Sequence, residues 1–188
     1  DTARNHTGTH LLHAALRKIL GNHVRQAGSL VTPDRLRFDF SHIVGLSSEE
    51  LSEVQTLVNQ KVRDNLTIRV KESSYAQAVQ EGALAFFGDK YGTTVRVVEM
   101  ADKEPFSKEV CGGTHASATG EVGSVFVLGE SSIGGGMRRI ESVTGRAAEQ
   151  LFVERSSKLE SLANRLQAPL SDIETRLDSF MSEVEHLK

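Results

Sequence analysis

Two clusters of potential metal ligands lie about a hundred residues apart in this chain: His6-Thr-Gly-Thr-His10 and Cys111-Gly-Gly-Thr-His115. Each places two donors four positions apart, and on a helix that spacing projects both side chains from one face, one turn apart. Three imidazoles and one thiolate form a donor set that Zn²⁺ favours. Cys111 is the sole cysteine, so it has no partner for an internal disulfide, and it sits in a run of small residues beside a histidine. The two clusters together predict one bound zinc, tying distant segments of a folded domain to each other. Ligand identity leaves two arrangements open. Four protein ligands make a closed structural site, whereas three leave a position for a water that the metal acidifies.

The elements that must position these donors are legible in outline. Leu11, Leu12, Ala15, Leu16 and Ile19 continue the helical periodicity begun by the histidine pair, which predicts a helix over residues 5–20 ended by Gly21. Gly8 inside it costs about 1 kcal/mol relative to Ala and allows a close approach to the backbone. Arg35-Leu-Arg-Phe-Asp-Phe40 alternates as a half-buried strand does, after the turn signal Thr32-Pro33-Asp34. Ser47 and Glu50 form a capping box ahead of an amphipathic stripe of Leu51, Val54, Leu57, Val58 and Val62. Residues 67–71, 93–100, 124–128 and 138–143 read as extended, with a short helix near 75–80 and a glycine loop at Gly134-Gly-Gly136. The expected body, residues 1–147, is α+β: a mixed sheet packed with helices around the His/Cys site. Residues 148–188 carry no strand signal. Phe152, Leu159, Leu162, Leu166, then Leu170, Ile173, Leu177, Phe180, Val184 and Leu187 recur at threes and fours, which predicts a helical, coiled-coil-like tail in which Pro169 opens the second helix: a helical hairpin or the start of a longer coiled region, capable of packing within the chain or in a homodimer.

Composition narrows the classes of function. The chain has 188 residues, 38% hydrophobic and 25% charged, and no apolar run approaches the roughly 20 residues that cross a bilayer. No membrane role is expected. One cysteine fits a reducing compartment, so the cytoplasm is the expected location. The first residues carry neither a Met nor a signal-peptide pattern, which suggests an excised or processed piece. A net charge of −3 argues against gripping nucleic acid by an overall positive field. Local basic candidates are Arg35 with Arg37, Arg69 with Lys71, and Arg138 with Arg139; for each, a solvated strand face is the alternative. Adjacent strand residues face opposite sides, so one of Arg138 and Arg139 should point into the fold. The glycine loop beside them either offers backbone amides to a phosphate or is simply a turn. His13 either supports the metal site from behind or lies on the helix face without a ligand role. His23, His42 and His186 are expected to be structural or on the surface.

The segments Asn5-His-Thr-Gly-Thr-His-Leu-Leu-His13, Gln26-Ala-Gly-Ser-Leu-Val31, Arg35-Leu-Arg-Phe-Asp-Phe-Ser-His42, Cys111-Gly-Gly-Thr-His115 with Thr119-Gly120, and Arg138-Arg-Ile-Glu-Ser-Val-Thr-Gly145 resemble, in order, the editing domain of alanyl-tRNA synthetases, a family that includes free-standing alanyl-editing proteins. The amino-terminal editing domain of threonyl-tRNA synthetases shares the two-part ligand pattern, but its cysteine motif reads differently. The resemblance implies that His6, His10, Cys111 and His115 hold zinc, that Gln26 lies in the editing pocket, and that the enzyme hydrolyses tRNA(Ala) wrongly charged with serine or glycine. It implies the tRNA(Ala) acceptor end and the remainder of the synthetase chain as partners, and it makes the tail the start of the region that follows editing. The family carries a small β-barrel segment before the first histidine motif and Ala where this chain has Gly8.

Such an activity has a physical reason to exist. A synthetic pocket that admits alanine cannot exclude glycine and rejects one added hydroxyl only modestly, so a second site must remove the errors. Polar groups placed for the serine hydroxyl would be left unpaired by alanine. Zinc, Gln26, Thr7 and Thr9 are the candidates to read that hydroxyl or the amino group. No Ser-His-Asp pattern is present, and the expected nucleophile is water. Two other functions stay open: a zinc-stapled tRNA-binding or oligomerisation module without activity of its own, and a metal-dependent hydrolase of small esters.

Overall fold

The computed structural model describes residues 1–86 and 92–187. The chain forms two compact units, Asp1–Ala148 and Glu149–Lys188. In the first, helix α1 (Thr2–Leu20) is followed by β1 (Gln26–Val31), β2 (Leu36–Ser41), α2 (Ser48–Arg63), β3 (Thr67–Ser74), α3 (Tyr75–Gln80), β4 (Thr94–Ala101), β5 (Pro105–Val110), β6 (Val125–Gly134) and β7 (Met137–Thr144). The strands form two sheets, ordered β1-β2-β7-β6 and β3-β4-β5, in which every strand pair is antiparallel. The expected single mixed sheet is therefore corrected to two antiparallel ones. The short connections of β1 to β2, β4 to β5 and β6 to β7 make hairpins, where parallel pairing would need long crossovers.

One core joins the sheets. Leu11, Leu12, Ala15 and Leu16 of α1 meet Leu36, Phe38 and Phe40 of β2, Val54, Val58 and Val62 of α2, and Val98 and Met100 of β4. β4 is central in its sheet and buried on both faces, so Val95 and Val97 pack the other way, with Ala78 and Ala83. The capping box opens α2 as its sequence demands: the Glu50 amide donates to Ser47 Oγ at 3.1 Å, and the Ser47 amide donates to Glu50 Oε2 at 2.8 Å. α2 also closes the sheet edge at β6. Asn59 donates to the Val125 carbonyl and accepts from its amide, and Gln55 accepts from the Val127 amide.

Gly8 has a packing reason. A Cβ there would lie 3.0 Å from Thr144 Cγ2 and 3.2 Å from Leu36 Cδ2, so its absence lets α1 lie against β2 and the end of β7. Asn5, one turn earlier, fixes the same contact: it donates to the Thr32 carbonyl at 2.7 Å and accepts from Thr144 Oγ1 at 2.7 Å. The helix starts three residues earlier than the sequence suggests, at Thr2.

The second unit is helical. α4 (Gly145–Leu166) ends before Gln167, which adopts a left-handed conformation, and α5 (Ile173–His186) begins after a 3-10 turn at Leu170–Asp172 that Pro169 precedes. Leu159, Leu162, Leu177, Phe180 and Val184, which carry the heptad-like spacing, are exposed. The tail is helical as expected, and its coiled-coil pairing is not shown: a seam needs a second apolar helix against the stripe.

Candidate metal centre

α1 delivers His6 and His10 from one face, one turn apart, and the segment leaving β5 delivers Cys111 and His115. One donor atom from each of the four residues lies within 4.8 Å of every other. His6 Nε2 and His115 Nε2 approach Cys111 Sγ to 3.3 and 3.4 Å. Around a tetrahedral zinc, bonds of about 2.0–2.1 Å to nitrogen and 2.3 Å to sulfur put those atoms about 3.6 Å apart, so the cluster has the size the ion requires.

The outward ring nitrogens show the same design. His6 Nδ1 lies 3.2 Å from the Thr114 carbonyl, His10 Nδ1 2.9 Å from Glu109 Oε2, and His115 Nδ1 3.2 Å from Thr7 Oγ1. The Thr114 carbonyl and the Glu109 carboxylate can only accept, so they draw the ring protons of His6 and His10 onto Nδ1 and turn the Nε2 lone pairs toward the centre, the tautomer a metal ligand needs, while the Thr7 hydroxyl fixes the ring of His115. Thr7 Oγ1 also accepts from the Ala116 amide at 3.1 Å, fixing the loop that carries His115. Gly113 makes room for His6, since a Cβ there would stand 2.0 Å from His6 Cε1. Arg96 clasps the turn by donating to the carbonyls of Gly112 and Gly113.

The electrostatics favour a cation at this point. Burial opposes the Cys111 thiolate, yet the imidazoles of His10, His115 and His6 around it lower its pKa to about 3. Burial likewise opposes charge on His10, but Glu109 and the Cys111 thiolate raise its pKa to about 10. Burial of Glu109 is also overridden, by His10 and His13, and its carboxyl stays well below the usual range. His115 is shifted down by burial. The half-buried Cys111 thiolate and the buried Glu109 carboxylate lie on the two sides of the His10 ring, where a proton on His10 or a divalent cation restores balance. The donor set, its spacing and its charge all fit a metal ion.

The other candidates are placed elsewhere or differently. Thr9 donates to the Asn5 carbonyl at 2.9 Å, within its own helix. Gln26 opens β1 opposite Phe40, beside a bulge at Ala27, and its amide donates to Ser29 Oγ at 3.0 Å. Arg138 shares its face of β7 with the buried Ile140 and is gripped by both carboxylate oxygens of Glu130. Arg139 faces the opposite way and forms a two-pronged pair with Asp39, at 2.7 and 2.8 Å. Asp39 also lies 3.7 Å from Arg37 Nε, so one carboxylate serves two guanidinium groups there. Gly134, Gly135 and Gly136, all at positive φ, make the β6–β7 turn.

Sequence reading missed Glu109, although a signal existed. Ser107, Glu109 and Cys111 alternate along an extended run, so a carboxylate two residues before a ligand shares the ligand's side. Thr119 was seen only as part of a motif; its buried hydroxyl donates to the Lys61 carbonyl and accepts from the Leu66 amide, tying the end of α2 to the loop after His115.

Residues 95–141 match the family model described as "Threonyl and Alanyl tRNA synthetase second additional domain". Over its full length the chain is 47% identical to the alanine–tRNA ligase of Desulforamulus reducens and 48% identical to those of Thermotoga sp. strain RQ2 and Thermotoga maritima. All of this chain is covered in each comparison, but only 21% of each relative. The chain therefore spans about one fifth of the length of the curated relatives it matches, and no described helix is long and apolar enough to cross a membrane.

Proposed function

We propose, from a chain similar along its whole length to one stretch of alanine–tRNA ligases, that residues 1–147 are a zinc-dependent aminoacyl-ester hydrolase that removes serine and glycine from tRNA(Ala). Residues 148–188 lead into the remainder of the synthetase in this reading. The observation that supports it is the convergence of His6, His10, Cys111 and His115 on one point, with the outward nitrogen of each imidazole satisfied. When bound, zinc supplies Lewis-acid polarisation and a fixed positive charge near the ester. The chain's own residues do the rest. Thr7 holds His115 and its loop in register, and Thr9 fastens the helix turn that carries the two ligands, so both act by positioning. Gln26 is assigned to the aminoacyl side chain: it exchanges Ser29 for the serine hydroxyl, a partner alanine lacks. Arg138 and Arg139, paired with Glu130 and Asp39, stay the candidates for contact with the tRNA phosphates in this reading.

The test is incubation of the zinc-loaded chain with seryl-, glycyl- and alanyl-tRNA(Ala). Loss of serine and glycine with alanine retained is the expected result. Full zinc occupancy with all three esters intact would overturn the assignment in favour of a module that zinc only staples, and turnover of free amino-acid esters without tRNA would favour a small-ester hydrolase.

A further inference from the structure

Glu109 is buried at 3% exposure on β5 and divides its carboxylate between two histidines of α1: Oε2 accepts from His10 Nδ1 and Oε1 from His13 Nδ1, each at 2.9 Å. His10 and His13 stand three residues apart on one helix face, a spacing that suits the two oxygens of one carboxylate. His13 is more buried than the ligands, at 1% exposure, and packs against Phe38 in a tilted and against Phe86 in an edge-on arrangement, at ring-centroid distances of 5.1 and 5.0 Å. Its second nitrogen, Nε2, is buried without a hydrogen-bond partner among the described residues. A buried imidazole with an unsatisfied nitrogen is an expensive way to fill an aromatic pocket, and a phenylalanine would fill it without that cost. What His13 adds beyond packing is the single donation to Glu109.

We infer that His13 is a positioning residue for the metal centre, acting through Glu109: it orients the carboxylate so that the remaining oxygen fixes the ring and tautomer of His10. The chain of contacts runs from His13 to Glu109 to His10 to the point where the four donors meet. Ser107 steadies the same carboxylate, its hydroxyl donating to Oε1 at 3.2 Å. Partners that orient a ligand histidine in this way set metal affinity, and losing one costs roughly 10- to 100-fold. This inference rests on the reading of the cluster as a zinc centre.

Three variants of the full chain test it, with zinc affinity measured by chelator competition and folding by urea denaturation. His13→Phe keeps an aromatic ring against Phe38 and Phe86 but removes the donor; zinc affinity should fall roughly 10- to 100-fold while the folded state persists. His13→Asn loses the ring but places an amide N–H where Nδ1 stands, and it should recover most of that affinity even if less stable. Glu109→Gln can accept from only one of the two histidines and should lose affinity as His13→Phe does. Parental zinc affinity in His13→Phe would overturn the inference while leaving the zinc centre intact, as would equal losses in the Phe and Asn variants. A parental chain that binds no zinc would overturn both.

Discussion

Two groups of histidines in this molecule come equally close together and differ in everything else. His23 Nε2 and His42 Nδ1 lie 2.8 Å apart, with their rings stacked at 5.1 Å, on exposed connections flanking β1 and β2. They spend their nitrogens on each other. His6, His10 and His115 direct their outer nitrogens at a carbonyl, a carboxylate and a hydroxyl, and leave the inner ones facing a thiolate. Nearness of imidazoles does not make a metal centre. A lone-pair arrangement imposed from outside, with an anion at the middle, does.

Breaking the contrast at its strongest point gives the largest effect. Cys111→Ala removes the anion that the imidazoles surround, and zinc content, read by elemental analysis of the purified chain, should fall from one equivalent to none, with seryl-tRNA(Ala) deacylation falling to background. Gly113→Ala comes next. The added methyl occupies the place of the His6 ring, and chelator competition should show zinc affinity reduced by roughly 10-fold or more, as for other losses of ligand orientation. Thr7→Val then removes the hydroxyl shared by His115 Nδ1 and the Ala116 amide; urea melts should register about 1–3 kcal/mol of lost stability for the groups left unpaired. The smallest effect belongs to the other pair. His23→Ala with His42→Ala should leave zinc content unchanged and stability within about 0.5 kcal/mol. Loss of zinc in that double variant would show that the exposed pair supports the centre after all.

The same contrast explains what the sequence could and could not say. Spacing alone assembled the four donors, because HxxxH on an amphipathic helix and CxxxH after a strand are local patterns. The Ser47 capping box and the α2 stripe were equally local, and both stand as read. β1 and β5 were not seen as strands. Gln-Ala-Gly-Ser-Leu-Val and Pro-Phe-Ser-Lys-Glu-Val carry little β-propensity, and both lie at sheet edges, where pairing to β2 and β4 supplies what their own residues lack. Sequence distance hid the partners. Glu109 meets His10 and His13 across roughly a hundred positions, and Asp39 and Glu130 claim the two adjacent arginines across strand registers that a linear reading does not supply. Gly8 signals a close approach to α1 in the sequence, but not that Thr144 and Leu36 are what approach it.

The donors arrive in two pairs from two carriers, His6 and His10 on α1 and Cys111 and His115 beyond β5. Any excursion that draws the helix from the strand would withdraw two of the four donors at once, so an ion held there would not be surrendered one ligand at a time along that path. Exchange with free metal in solution should then be slow and all-or-none, keyed to the parting of the two carriers and not to the swing of any single side chain.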